Sequence, residues 1–369
     1  LKVFGPKRLV FAPAIACGAW MWLHLNSQSR AWNPIDRFLF PVPAATYNVG
    51  SFPSELIFVP GANGDRMPCL FLPFHLARFL VIYFHGNAED LGSCHAFCDA
   101  LRELFQVHVL AVEYPGYGIC PGEADEDGVV ANAMAAMRFA LETLQWERDD
   151  VMLFGRSLGT APTLALAAKY DVAGAVLVSP FISIREIVRS IFGILADAVG
   201  ERFNNGALAP SIKIPTLVVH GQKDELVPVK HGKEIYEALR GRKMLVCPAK
   251  MGHNTPLLQD VGTLVFPMTQ FFTLPDYAFR EVVVPDWVFP DAKLAWAQQL
   301  TVARQAQTAY ENGVPGASQG LKQPKRPREP NVRADSPAPP PSPRCKAGGA
   351  AWSARLERES VTVIAKFAL

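Results

Sequence analysis

The chain has 369 residues, half of them hydrophobic, and its 36 Lys and Arg against 34 Asp and Glu leave a formal charge of +2. That balance gives no electrostatic reason to expect a nucleic-acid partner, and the apolar fraction is ample for a full core. Seven cysteines, odd in number and scattered, argue against a disulfide framework and for a reduced, intracellular setting.

From the first residue, "KRLVFAPAIACGAWMWLHL" (7–25) puts two cations ahead of an apolar stretch containing Trp20, Trp22 and Cys17. Residues 1–25 therefore read either as a membrane anchor or signal-anchor, holding the protein on a membrane and facing the cytoplasm, or as an apolar segment packed on the domain. Residues 26–54 are proline-rich and predict an irregular linker. "ELIFVP" and "MPCLFLP" then predict two strands joined by a turn. After them the pattern alternates. Buried strands are expected at 79–84, 107–112, 151–154, 173–179, 216–221 and 243–248, with helical stretches between them. Apolar runs of this kind separated by helices predict an α/β fold, with a mostly parallel central sheet covered by helices on both faces.

Residues 181–210 break the alternation, with Ile184, Ile187, Val188, Ile191 and Leu195 at helical spacing. They read either as a helix packed on the sheet or as a small lid offering an apolar wall to an acyl chain. The domain is expected to run from 55 to 274, followed by an extension over 275–314. Residues 315–369 are rich in proline, lack periodicity and predict a largely disordered tail. Cys94, His95 and Cys98 cluster, but no second ligand pair stands at zinc spacing, so no metal is expected there.

The stretch "VMLFGRSLGT" (151–160) carries Gly-x-Ser-x-Gly directly after an apolar strand. In that setting the motif predicts a nucleophile elbow, a sharp strand-to-helix turn that exposes Ser157 and leaves room only for glycine on either side. A serine hydroxyl needs a base, and the base needs an acid to orient it. Three histidines follow Ser157. His220 ends a strand and His231 opens a helix, whereas His253 lies in a loop after the last strand, where open α/β sheets place their ligands. His253 is thus the expected base. The acid is expected in the loop after 216–221, as Asp224, with its neighbour Glu225 the alternative. An oxyanion hole needs two backbone N–H groups, assigned to Leu158 after the nucleophile and to Asn87 in "HGNAEDLG" (85–92). His85 and Gly86 are expected to line the substrate side of that loop.

Together "HGNAEDLG", "EYPGYG" (113–118), "GRSLGT", "HGQKDELVP" and "GHN" resemble the α/β-hydrolase-domain proteins of the membrane-associated serine hydrolase group. The likeness covers residues 55–272 and is greatest to the branch acting as protein depalmitoylases. It implies the α/β-hydrolase fold, with Ser157 as nucleophile, Asp224 as acid and His253 as base. It places Tyr114 and Tyr117 at the pocket floor. It implies cleavage of acyl esters or thioesters without metal or organic cofactor, on an acylated protein or lipid. Three other readings stand beside a palmitoyl-protein thioesterase. A monoacylglycerol-type lipase would use the same triad. A prolyl-type serine peptidase would bring a larger cap, and a non-catalytic interaction module would not need the triad. The chain departs from the depalmitoylase branch in having Cys17 alone where that branch is cysteine-rich.

Overall fold

The structure, a computed structural model, describes residues 39–61, 64–75, 77–193, 200–276, 278 and 282–290. The expected anchor, residues 26–38 of the linker, most of the extension and the proline-rich tail lie outside the described residues. Among the described residues no helix is long and apolar enough to cross a membrane.

β1 (Leu56–Pro60) and β2 (Arg66–Leu72) form the expected hairpin, followed by β3 (Leu80–Phe84), β4 (His108–Val112), β5 (Val151–Arg156), β6 (Gly174–Val178), β7 (Thr216–Val219) and β8 (Lys243–Val246). All eight join one sheet in the order β1-β2-β4-β3-β5-β6-β7-β8. β2 runs antiparallel to both its neighbours, and β3 to β8 pair in parallel. Every residue of β3, β4 and β6 is buried, as a sheet covered on two faces requires.

Strand alternation sends neighbouring side chains into opposite layers. Ile82 and Phe84 of β3 enter one core with Leu110, Val112 and Leu153. Val81 and Tyr83 enter the other with Val109, Met152 and Phe154. The second layer is closed by α1 (Leu91–Phe105), through Leu91, Cys94, Cys98, Leu101 and Phe105. Asp90 begins that helix as a capping box, accepting from Ser93 N while Ser93 Oγ accepts from Asp90 N. Cys94 and Cys98 are thus core thiols, and His95 pairs with Glu55 at 2.6 Å and stacks on Phe52.

The first layer is closed by α2 (Glu126–Arg138), capped by Asp125, and by α3 (Thr160–Ala167). A π turn over Phe139–Thr143 extends α2. α4 (Ile184–Phe192) starts at the Ser183 cap and stops at Gly193, whose φ of 61° suits a residue without a Cβ. Its Ile184 and Ile187 pack on the first-layer core. The apolar stripe of 184–195 therefore serves packing in its first turns, and Leu195 lies outside the described residues. α5 (Asn205–Leu208), α6 (Val229–Ala238) and α7 (Val265–Phe272) complete the layers.

Candidate active site

β5 ends at Arg156, and Ser157 follows in a left-handed conformation, φ 51°. For a residue with a Cβ this is strained backbone, of order 1–3 kcal/mol, and it lifts the hydroxyl out of the strand line. The flanking glycines make the turn feasible. A Cβ on Gly155 would stand 2.2 Å from Gly159 O, and one on Gly159 would stand 2.1 Å from Phe84 O. Two threonines then secure the turn's carbonyls. Thr160 Oγ1 donates to Ser157 O at 2.7 Å and Thr163 Oγ1 to Gly159 O at 2.8 Å.

His253 Nε2 is 2.9 Å from Ser157 Oγ, and His253 Nδ1 is 2.8 Å from Asp224 Oδ2. Residues 67 and 29 positions apart along the chain are so joined into one hydrogen-bonded series. Asp224 is buried, and its other oxygen accepts from Leu226 N at 3.1 Å and Val227 N at 2.8 Å. Burial alone would raise its pKa. The hydrogen bonds from His220 and His253 and the Val227 N–H outweigh it and hold the carboxyl well below the ordinary carboxylate range. Glu225 is exposed, so of this pair it is Asp224 that meets His253. His220 Nε2 donates to Val227 O at 2.8 Å and shapes the acid's loop. His231 is buried beneath α4, where Nδ1 accepts from Ile182 N at 3.3 Å and Nε2 meets Ser190 Oγ at 3.2 Å. Lys223 N donates to Met251 O at 3.0 Å and Gln222 N to Pro248 O at 3.1 Å, which fixes the acid loop to the histidine loop.

The loop after β3 passes beside the elbow: a Cβ on Gly86 would lie 4.0 Å from Ser157 Cβ. Asn87 is held by its side chain, with Nδ2 donating to Leu39 O at 2.8 Å and Oδ1 accepting from Tyr117 OH at 2.7 Å. Among the described residues no acceptor takes the Asn87 backbone N–H. Leu158 stands in the first turn after the nucleophile, where N–H groups lie beyond the reach of helix carbonyls.

Three expected substrate contacts are corrected by burial. His85, Tyr114 and Tyr117 each have 0% exposure, so they lie behind the site rather than on its floor. Tyr114 OH donates to His85 O at 2.7 Å, and His85 Nε2 lies 2.8 Å from Glu113 Oε1. These rings brace the loop that carries Asn87. Their hub, Glu113, was not singled out from the sequence. It is fully buried and accepts from Tyr47 OH at 3.0 Å, Leu91 N at 3.0 Å and Tyr114 N at 3.2 Å besides facing His85. Its one signal is a carboxylate ending the apolar run "VHVLAVE", where burial obliges it to find donors.

A doubly covered sheet with one antiparallel strand, a strained serine between β5 and α3, and an imidazole and carboxylate delivered by later loops define the α/β-hydrolase fold. Similarity to known proteins agrees. A family model described as serine aminopeptidase, S33, matches residues 76–209, a stretch that holds Ser157 and ends before Asp224. The α/β hydrolase domain-containing protein aho-3 of Caenorhabditis elegans is 32% identical over 174 residues, 47% of this chain and 52% of that protein. The α/β hydrolase domain-containing protein 17C of Mus musculus is 28% identical over 188 residues, 50% of this chain and 57% of that protein. The chain thus spans little more than half the length of these relatives. An esterase of Pyrococcus furiosus shares the fold, with a TM-score of 0.51 at 15% identity over 63% of this chain and 97% of that one. The chain has the α/β-hydrolase fold and is similar to these α/β hydrolase domain-containing proteins over about half of its length.

Proposed function

We propose that the protein is a serine hydrolase of acyl esters and thioesters, and that its substrates are palmitoylated proteins. The observation that carries the reading is the unbroken series Ser157 Oγ, His253 and Asp224, at 2.9 and 2.8 Å, ending on a strained nucleophile. With Nδ1–H donated to Asp224, Nε2 of His253 accepts the Ser157 proton as Oγ attacks the carbonyl carbon. The N–H groups of Leu158 and Asn87 hold the oxyanion. The imidazolium protonates the leaving thiol or alcohol, leaving an acyl-serine. Water deprotonated by His253 then releases the acid and restores Ser157. A carboxyl held ionised at Asp224 favours the imidazolium formed in each half-reaction.

The thioester and protein specificity rests on the motif resemblance to the depalmitoylase branch. The apolar segment 7–25 supports work at a membrane surface facing the cytoplasm, where palmitoyl groups are anchored. The test takes the full chain and its S157A variant through fluorophosphonate labelling and a panel of palmitoyl-thioester peptides, monoacylglycerols and short p-nitrophenyl esters. Labelling lost in S157A, with palmitoyl thioesters turned over fastest, is the expected result. Preference for monoacylglycerols would make it a lipid esterase, and an unlabelled wild-type protein would overturn the hydrolase assignment.

A further inference from the structure

Arg156 immediately precedes the nucleophile, yet its side chain ends among the other two parts of the site. Nη1 pairs with Glu89 Oε1 at 2.9 Å, and Nη2 donates to His253 O at 3.3 Å. Glu89 uses its second oxygen to accept from Gly86 N at 2.8 Å, one residue before the expected oxyanion donor Asn87. The two side chains are 21% and 18% exposed, so water screens the pair little and a flexible surface bridge is not what is present. Burial alone would raise the pKa of Glu89, but the Arg156 charge and the Gly86 N–H hold it below the ordinary value. Glu89 is therefore held in its ionised form.

We propose that Arg156 is a positioning residue that fixes the nucleophile turn, the oxyanion loop and the histidine loop in one register through Glu89 and the His253 carbonyl. This rests on the serine-hydrolase reading. The planar guanidinium suits the task because two of its nitrogens serve two acceptors from a fixed fork, which an ammonium on a flexible stem does not reproduce. Releasing it removes no triad side chain but frees the loops that carry His253 and Asn87. A misplacement near 1 Å costs about 100-fold in such an arrangement. Because the loss falls on the geometry of attack, it appears in kcat and not in KM.

The experiment compares the full wild-type chain with R156M, R156K, E89Q and the double variant R156M/E89Q. It reads fluorophosphonate labelling rate, p-nitrophenyl ester kcat and KM, and Tm. R156M is expected to label and turn over about 10- to 100-fold more slowly with KM within about twofold. The double variant should be no slower than R156M, because both substitutions remove one link. R156K should recover Tm without recovering the rate. E89Q is close in shape to the native side chain, and its expected loss of about 10-fold carries the same test if R156M does not fold. A labelled wild type with R156M and E89Q within twofold of it overturns the positioning role alone. So does an R156K variant that recovers rate and Tm together. A wild type that does not label overturns the hydrolase reading and this role with it.

Discussion

Replacing Gly159 by alanine tests whether the elbow is held by close backbone approach. The added Cβ would sit 2.1 Å from Phe84 O and 2.8 Å from His85 O, both at the start of the loop that carries Asn87. Carbon and carbonyl oxygen seldom approach within about 3 Å, so the turn and the loop must part by about 1 Å. Ser157 and Leu158 ride on one side of that gap and Asn87 on the other. Nucleophile and oxyanion donor then fall out of step, and a separation of this size is expected to slow ester hydrolysis and fluorophosphonate labelling about 100-fold. Overpacking should also cost about 1–3 kcal/mol in urea unfolding. Gly50 is the control, since a Cβ there meets only Asn48 Oδ1 at an ordinary 3.4 Å, and G50A should match the wild type. A G159A protein within twofold of the wild-type labelling rate would refute the reasoning.

D224N should lower kcat about 10,000-fold with the fold intact, because an amide facing Nδ1 favours the tautomer that leaves Nε2 protonated against Ser157; kcat at saturating ester reads this. E113A strands buried His85 and the N–H and O–H donors around it, and should cost about 3–5 kcal/mol in urea unfolding. His231 is pushed down to about 4 by burial, by Lys230 and by His220. Its folded value lies below its unfolded one, so stability is intact above pH 6.5 and declines as pH falls from 6.5 towards 4. The full difference is about 3 kcal/mol. Urea midpoints across that window should slope less in H231Q than in the wild type; equal slopes would remove His231 from the account.

Much of this architecture is written locally. The run "FLVIYF" has no polar face to offer water, so it becomes a strand covered on both sides, and all of Leu80–Phe84 is buried. The elbow is legible because two glycines and a serine after such a strand have few other uses. Asp224 and His253 are legible because each lies in a short loop following a strand of the parallel set, and all those loops open at the same edge. The braces behind the site were not legible. Tyr114 and Tyr117 read as pocket residues through the family resemblance, and their packing in the first-layer core with Val129 and Ala133 of α2 makes them internal. Glu89 and Arg156 lie 67 positions apart, and no periodicity links a loop carboxylate to a strand-end guanidinium. Such pairings are set by which strands neighbour one another in the sheet, here β3 and β5, and strand order is a property of the whole chain.

The left-handed bend at Ser157 carries a consequence for anyone altering this protein. A glycine at 157 would relax the bend and leave a folded, inert chain. Screening variants for heat tolerance alone would reward that exchange, so robustness and reactivity pull in opposite directions at this one position and must be scored separately.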